Sequence, residues 1–378
     1  MWSVLVAVSA LVGAVPAIAS PLDCPLARTR YSTRTPLIDI LLHPQAKAVL
    51  DRVAPDLVVG FTKPFGGGAM PTGFSAKIDP AFLLQRRNDR AVPTKALDRE
   101  LGRVSITPAA TETRCARYDD LQPELPAVVR RPALLVFEKI NGFRDGPSVE
   151  AAGVALKAIA ARRGWAILFT DKGGVFNPNA LARFDAVVWN NVSGDALTMS
   201  QRQAFKQWIE QGGGYVGVHG SGGDPIYLWD WYVDTLVGAR FIGHPMAPQF
   251  QAARVVVGDR AGGIARGLPP EWTMTEEWYS FGTSPRARGA HILATLDEAT
   301  YRPIGVGGQN LAMGNHPVAW TRCVGAGRSF YSAIGHRPEN YAEPNSNRLM
   351  EQGIAWAMGL GDTRCAGGRE ITSKEKKP

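Results

Sequence analysis

Six histidines occur in this chain, and four of them stand where chemistry is done. His219 follows an apolar run directly, in Gly217-Val218-His219-Gly220-Ser221, a strand-to-turn pattern shaped like a nucleophile elbow. His244, His316 and His336 each sit beside a turn-forming residue, in Gly243-His244-Pro245, Asn315-His316-Pro317 and Gly335-His336-Arg337, which puts them near loops. A neutral imidazole can hold a metal ion or serve as acid or base near neutral pH. The plainer reading of each is a core histidine satisfied by backbone. Glu276-Glu277-Trp278-Tyr279 offers a carboxylate beside flat aromatic surfaces that suit a sugar ring, or else a solvated acidic turn. Asp224, Trp229 and Trp231 follow the elbow, and Glu339 and Tyr341 follow His336. Zinc or a similar divalent ion on His219, His244, His316 and His336 is one use of this set. No H-E-x-x-H, C-x-x-C, Walker or G-x-S-x-G sequence occurs, and Gly305-Val306-Gly307-Gly308 lacks the strand-to-helix setting of a dinucleotide loop.

The elements that must carry these residues are legible from Ala133 onward. Ala133–Glu138 is a continuous apolar run, the mark of a buried parallel strand. A helix is predicted from Ser148 as N-cap, with Val149, Ala152, Leu156 and Ile159 on one side and Gly164 ending it. Trp165–Thr170, Ala186–Trp189 and Tyr215–Val218 read as further strands, and Thr198-Met199-Ser200-Gln201 as a capping box opening a helix to Glu210. Alternation at this spacing predicts an α/β fold with a doubly wound sheet. Ligands then bind beyond the carboxyl ends of the strands, at the loops after Glu138, Trp189 and Val218.

Five motifs in order, GGGYVGVHGSGGDP, WDWYVDTLVGARFIGHP, TEEWYSF, NHPVAW and GRSFYSAIGHRPENYAEP, resemble those of the trehalose-utilisation (ThuA-like) family over residues 132–360. The resemblance implies a flavodoxin-like sheet related to the class I glutamine amidotransferases. It places His219, His244, His316 and His336 in family motifs and Glu277 on the acidic position. Members commonly have Phe-Arg-His after the first strand, where this chain has Phe143-Arg144-Asp145. The amidotransferase reaction needs a thiolate at the elbow, and His219 occupies it, so that activity is excluded. The resemblance implies a protein of carbohydrate metabolism, acting as hydrolase, lyase or isomerase on a glycoside or an oxidised (keto) sugar related to disaccharide use. His219, Glu277, His316 and His336 would be catalytic. Asp145, Asp224, Trp229, His244, Trp278, Tyr279, Glu339 and Tyr341 would bind the small-molecule carbohydrate. The alternative is a sugar-binding or accessory module without turnover.

Residues 1–19 read as a leader: Val4–Val15 is largely apolar and Ala17-Ile18-Ala19 has the form of a cleavage site, so a mature chain beginning near Ser20 in the periplasm or medium is expected, with no membrane attachment. In that compartment the four cysteines favour bridges, and of three connectivities Cys24–Cys115 with Cys323–Cys365 keeps each pair within one region. Residues 20–131 show short helical signals, at Pro36–Leu42, Pro44–Val53 and around Leu83, Leu84, Leu97 and Leu101, broken by a Phe65–Gly68 loop. Pro123, Pro126 and Pro132 mark a linker, and 361–378 forms a tail. The 378 residues are 45% hydrophobic and 20% charged, too apolar for disorder. The net charge of +8 is spread out, which argues against nucleic acid as a partner.

Overall fold

A computed structural model of the chain describes residues 23–59, 61–65, 68–87, 94–258, 263–360 and 365. The expected leader, and the tail apart from Cys365, lie outside the described residues. The N-terminal part is helical: α1 (Leu37–Leu41), α2 (Pro44–Val53), α3 (Pro80–Arg87), α4 (Thr94–Leu101) and α5 (Pro108–Cys115). Two short antiparallel strands, β1 (Thr62–Phe65) and β2 (Gly68–Pro71), take in the end residues of the loop expected at Phe65–Gly68, whose Gly66 and Gly67 lie outside the described residues. Pro36 is the N-cap of α1, and the Thr35 hydroxyl before it accepts from the Ser32 N–H. These elements have a core of their own about Leu37, Ile40, Leu50, Ile78, Leu97 and Leu101.

The remainder is built on one nine-stranded sheet. Its parallel half comprises β3 (Ala133–Phe137), β4 (Ala166–Thr170), β5 (Ala186–Asn190) and β6 (Gly214–Val218), joined by α6 (Gly146–Arg163), α7 (Pro178–Leu181) and α8 (Met199–Glu210). Beyond two short strands, β7 (Phe241–Gly243) and β10 (Ser280–Phe281), which pair with each other, the chain adds β8 (Phe250–Val257), β9 (Glu271–Glu277), β11 (His291–Asp297), β12 (His316–Val324) and β13 (Gly327–Ser332). The order is β4-β3-β5-β6-β13-β12-β11-β8-β9. β13 runs parallel to β6 and antiparallel to β12, so the sheet changes sense there, and β11, β8 and β9 continue as antiparallel neighbours.

Local sequence explains the parallel half. β3, β5 and β6 are buried along their whole length, as uninterrupted apolar runs require when helices cover both faces. The capping box of α8 forms between Thr198 and Gln201. α6 ends at Gly164, whose φ of +69° suits glycine. Its N-cap is Asp145, not Ser148. The Ser148 hydroxyl lies one turn in, against the Asp145 carboxylate and the His336 carbonyl. A last helix, α9 (Pro344–Ala357), approaches β13 so closely that a Cβ on Gly353 would meet the Phe330 ring at 2.4 Å.

Cys24 is bonded to Cys115 and Cys323 to Cys365, the pairing preferred from the sequence. Two disulfides that use all four cysteines fit an extracellular or periplasmic protein. No helix among the described residues is long and apolar enough to cross a membrane.

Candidate functional site

The chain leaves β6 at His219 with φ +36°, a conformation that non-glycine residues adopt only when surroundings impose it. The surroundings are specific. The Tyr331 hydroxyl donates to the His219 carbonyl at 2.8 Å, and the Gly220 N–H donates to Asn191 Oδ1 at 3.1 Å. The imidazole stacks on Tyr279 with ring centres 4.1 Å apart. Its Nδ1 lies 2.7 Å from the Ala333 carbonyl, which can only accept, so Nδ1 carries a proton.

The other ring nitrogen of His219, Nε2, faces Glu277. At the end of β9 the alternation of a strand sends Glu276 and Glu277 to opposite sides. Glu277 Oε2 is 3.2 Å from His219 Nε2 and 2.9 Å from His336 Nδ1, while its Oε1 accepts from Gln249 and lies 3.3 Å from His244 Nδ1. His336 Nε2 in turn is 3.4 Å from Asp145 Oδ2. Burial alone would push the Glu277 carboxyl up, but hydrogen bonds from His219 and His336 and the charge of His244 overcome it and hold it well below the usual carboxylate range. Burial pulls His336 down, and its bond to Glu277 with the charges of Glu277, Asp145 and Glu276 outweighs that and leaves it raised. His244 goes the other way, lowered by burial against the pull of Glu277. Its Nδ1 meets the Pro245 carbonyl at 2.9 Å, and its Nε2 has no hydrogen-bond partner among the described residues.

His219 Nε2, Glu277 Oε2 and His336 Nδ1 thus form a triangle with edges of 2.9, 3.2 and 3.3 Å. Glu277 Oε2 can only accept, so a proton on one of the two imidazole nitrogens or a cation among the three must hold the triangle together. The dimensions fit a cation: metal bonds of about 2.0–2.1 Å in tetrahedral array give edges of about 3.3 Å. These three residues are the His, Cys, Asp and Glu grouping among the described residues whose donor atoms converge closely enough for an ion. The outer contacts suit it as well. The Ala333 carbonyl orients His219 and the Asp145 carboxylate orients His336, as second partners of metal-bound imidazoles commonly do. Asp145, where the family resemblance leads one to expect histidine, therefore stands at the centre and touches His336.

This cluster forms part of the wall of a cavity of about 700 Å³, a size that takes a drug-sized molecule, and His244, Tyr279, Asp145 and Ser148 join it there. His316 does not. It stands at the same sheet edge with both ring nitrogens occupied, Nδ1 by Glu298 at 2.8 Å and Nε2 by the Tyr279 carbonyl at 2.8 Å, and it is fully buried. Its place is behind Tyr279, supporting the ring on which His219 stacks. Trp278 is likewise fully buried, its indole N–H bonded to the Gln251 carbonyl. Tyr341 joins Asn191 to the Gly335 carbonyl, and Trp229 stacks on Trp231 away from the cavity. Asp224 is buried against Lys77, and Glu339 is exposed beside Arg337.

Two contributions escaped sequence reasoning. Glu276, fully buried, accepts from the N–H groups of Glu277, Gly335 and Arg337 and from the Asn340 amide, and so clamps the segment that carries His336. The N-terminal residues Val59, Phe61, Phe74, Phe82 and Arg86 line the cavity opposite the histidines. Arg86 donates to the Ile242 carbonyl at 3.0 Å, and Lys77 pairs with Asp224 at 3.0 Å, fixing that wall to the α/β part.

Comparison with known proteins follows this division of the chain. A solved thua-like protein of Bacteroides uniformis superposes with a TM-score of 0.53 at 23% identity, over 64% of this chain and 97% of that one. A thua-like protein of Parabacteroides merdae aligns at 15% identity with a TM-score of 0.43, over 62% and 93%. No curated protein matches. The family model ThuA, described as trehalose utilisation, matches residues 133–357, well over half of the chain, beginning with β3 and ending with α9. With those residues, which hold every member of the imidazole–carboxylate cluster, the chain belongs to the ThuA trehalose-utilisation family.

Proposed function

We propose that this protein acts outside the cytoplasm on a carbohydrate related to disaccharide use, a glycoside or its oxidised keto form, at the centre formed by His219, Glu277 and His336. The observation that carries the reading is the convergence of these three donors, with His244 and Asp145, in one cavity large enough for a sugar derivative. The substrate class rests on the family's link to trehalose utilisation. A divalent ion on the three donors would polarise a sugar carbonyl or hydroxyl oxygen. Asp145 holds the His336 ring in place, and the Ala333 carbonyl does the same for His219. His244, with Nε2 uncommitted, is the group placed to take or return a proton at the substrate.

Elemental analysis and a panel of trehalose, other disaccharides and their keto forms test this. Wild type should retain a divalent ion and turn over a member of the panel, and His219→Ala, Glu277→Gln and His336→Ala should lose both. Full turnover in His336→Ala and Glu277→Gln would overturn the reading. Asp145, in place of the histidine expected from the family resemblance, favours a second reading, a binding module without turnover. In that case the same variants would weaken sugar binding while no panel member is converted.

A further inference from the structure

We infer that the outer half of this cavity is a subsite for an apolar aglycone, so that an amphiphilic glycoside, a sugar carrying an aryl or alkyl group, is bound in preference to a free disaccharide. The inference rests on the carbohydrate reading above and names its substrate more closely. Twelve large apolar side chains are exposed among the described residues, and six of them, Val59, Phe74, Phe143, Met246, Phe250 and Val306, line this one cavity. A soluble protein scatters such residues singly, and their gathering at one opening marks a binding surface. The same cavity is lined by the polar groups of His219, Asp145, Glu277, His244 and His336.

The polar groups nearest the apolar wall are already engaged. Lys77 pairs with Asp224, Arg86 donates to the Ile242 carbonyl, and Gln249 donates to Glu277. A second sugar ring seated there would bring hydroxyls to a surface with few free partners, and each unpaired one is costly. An aryl or alkyl group meets no such penalty. The ring centre of Phe250 lies 5.1 Å from that of His336. Phe74 and Val59 come from the N-terminal part, outside the family match at 133–357, and the other four from within it, so both parts of the chain build this apolar lining.

The test compares binding of phenyl and octyl glucosides with that of glucose, trehalose, phenol and octanol by calorimetry, in wild type and in Phe74→Ser. Phe74 stacks on Phe61 with ring centres 6.2 Å apart. Burying one more aromatic or aliphatic group strengthens binding about 10-fold or more, so the glucosides should exceed trehalose by that factor. Phe74→Ser should remove most of the gain and leave glucose and trehalose unchanged. Equal binding of trehalose and the glucosides, or equal weakening of both classes by Phe74→Ser, overturns this inference alone. Phenol and octanol binding as tightly as their glucosides also overturns it, since the sugar then contributes nothing. Failure of every sugar-bearing ligand to bind overturns the carbohydrate reading as well.

Discussion

Replacing Glu276 by Gln should loosen the segment that carries His336 while leaving every cavity-lining side chain in the sequence. The carboxylate is fully buried and accepts four N–H groups: Glu277 at 2.7 Å, Gly335 at 2.9 Å, Asn340 at 2.8 Å and Arg337 at 3.3 Å. Glutamine keeps one acceptor oxygen, so the two bonds it retains lose their charge, at about 1 kcal/mol each. Its amide NH₂ then faces the Gly335 N–H and the Asn340 amide. Asn340 cannot turn over freely, because the same NH₂ donates to the Thr275 carbonyl at 2.8 Å. The stranded Gly335 N–H costs about 1–3 kcal/mol. A neutral amide is easier to bury than a carboxylate, which returns part of this. The net loss should be about 2–4 kcal/mol, read as a lower urea midpoint at unchanged slope. His336 is the next residue after Gly335, so metal retention and sugar affinity should fall with it. A variant within about 0.5 kcal/mol of wild type, with metal and ligand binding intact, would refute the assignment of Glu276 as the clamp.

Removing His316 separates support from chemistry: His316→Ala should lower stability by about 2–4 kcal/mol through the cavity and the orphaned Tyr279 carbonyl, yet leave metal content at the wild-type level, and loss of metal before unfolding would return His316 to the centre. Lys77→Met should cost about 3–5 kcal/mol at pH 8 by leaving Asp224 buried without its cation. Burial already raises the Asp224 carboxyl against the pull of Lys77 and of the Gly194 N–H, so its pKa climbs further when the cation is removed. A raised carboxyl carries its penalty above the folded pKa and sheds it as pH falls, so the loss should shrink at pH 5, and equal losses at both pH values would exclude this account. The Cys24–Cys115 bond closes a 91-residue separation, for which chain entropy gives about 4–5 kcal/mol. Cys24→Ser with Cys115→Ser, which leaves Cys323–Cys365 intact, should lower the denaturation midpoint accordingly, and an unchanged midpoint would mean that the N-terminal packing holds without it.

The sequence by itself determined the parallel half of the sheet and the elbow at His219, which depend on near neighbours and apolar runs, and it narrowed the disulfides to three pairings, of which the preferred one is found. The Ala133–Phe137, Ala186–Asn190 and Gly214–Val218 strands are buried runs in sequence and structure alike. The antiparallel half was not legible. Phe250–Val257 and Glu271–Glu277 are stabilised by their pairing with each other and with distant strands, a register that no short window contains. Only the tertiary structure separated the four histidines. All of them stand at strand or turn boundaries. What differs is the partner each ring meets: Glu277 for His219, His244 and His336, against Glu298 and a backbone carbonyl for His316. It also distinguished Glu276 from Glu277, adjacent residues of one strand that face a loop on one side and the cavity on the other. The wall supplied by Val59, Phe74 and Phe82 was invisible for the same reason, because a surface shared by two parts of a chain belongs to the packing between them, and its apolar residues read, one at a time, as core.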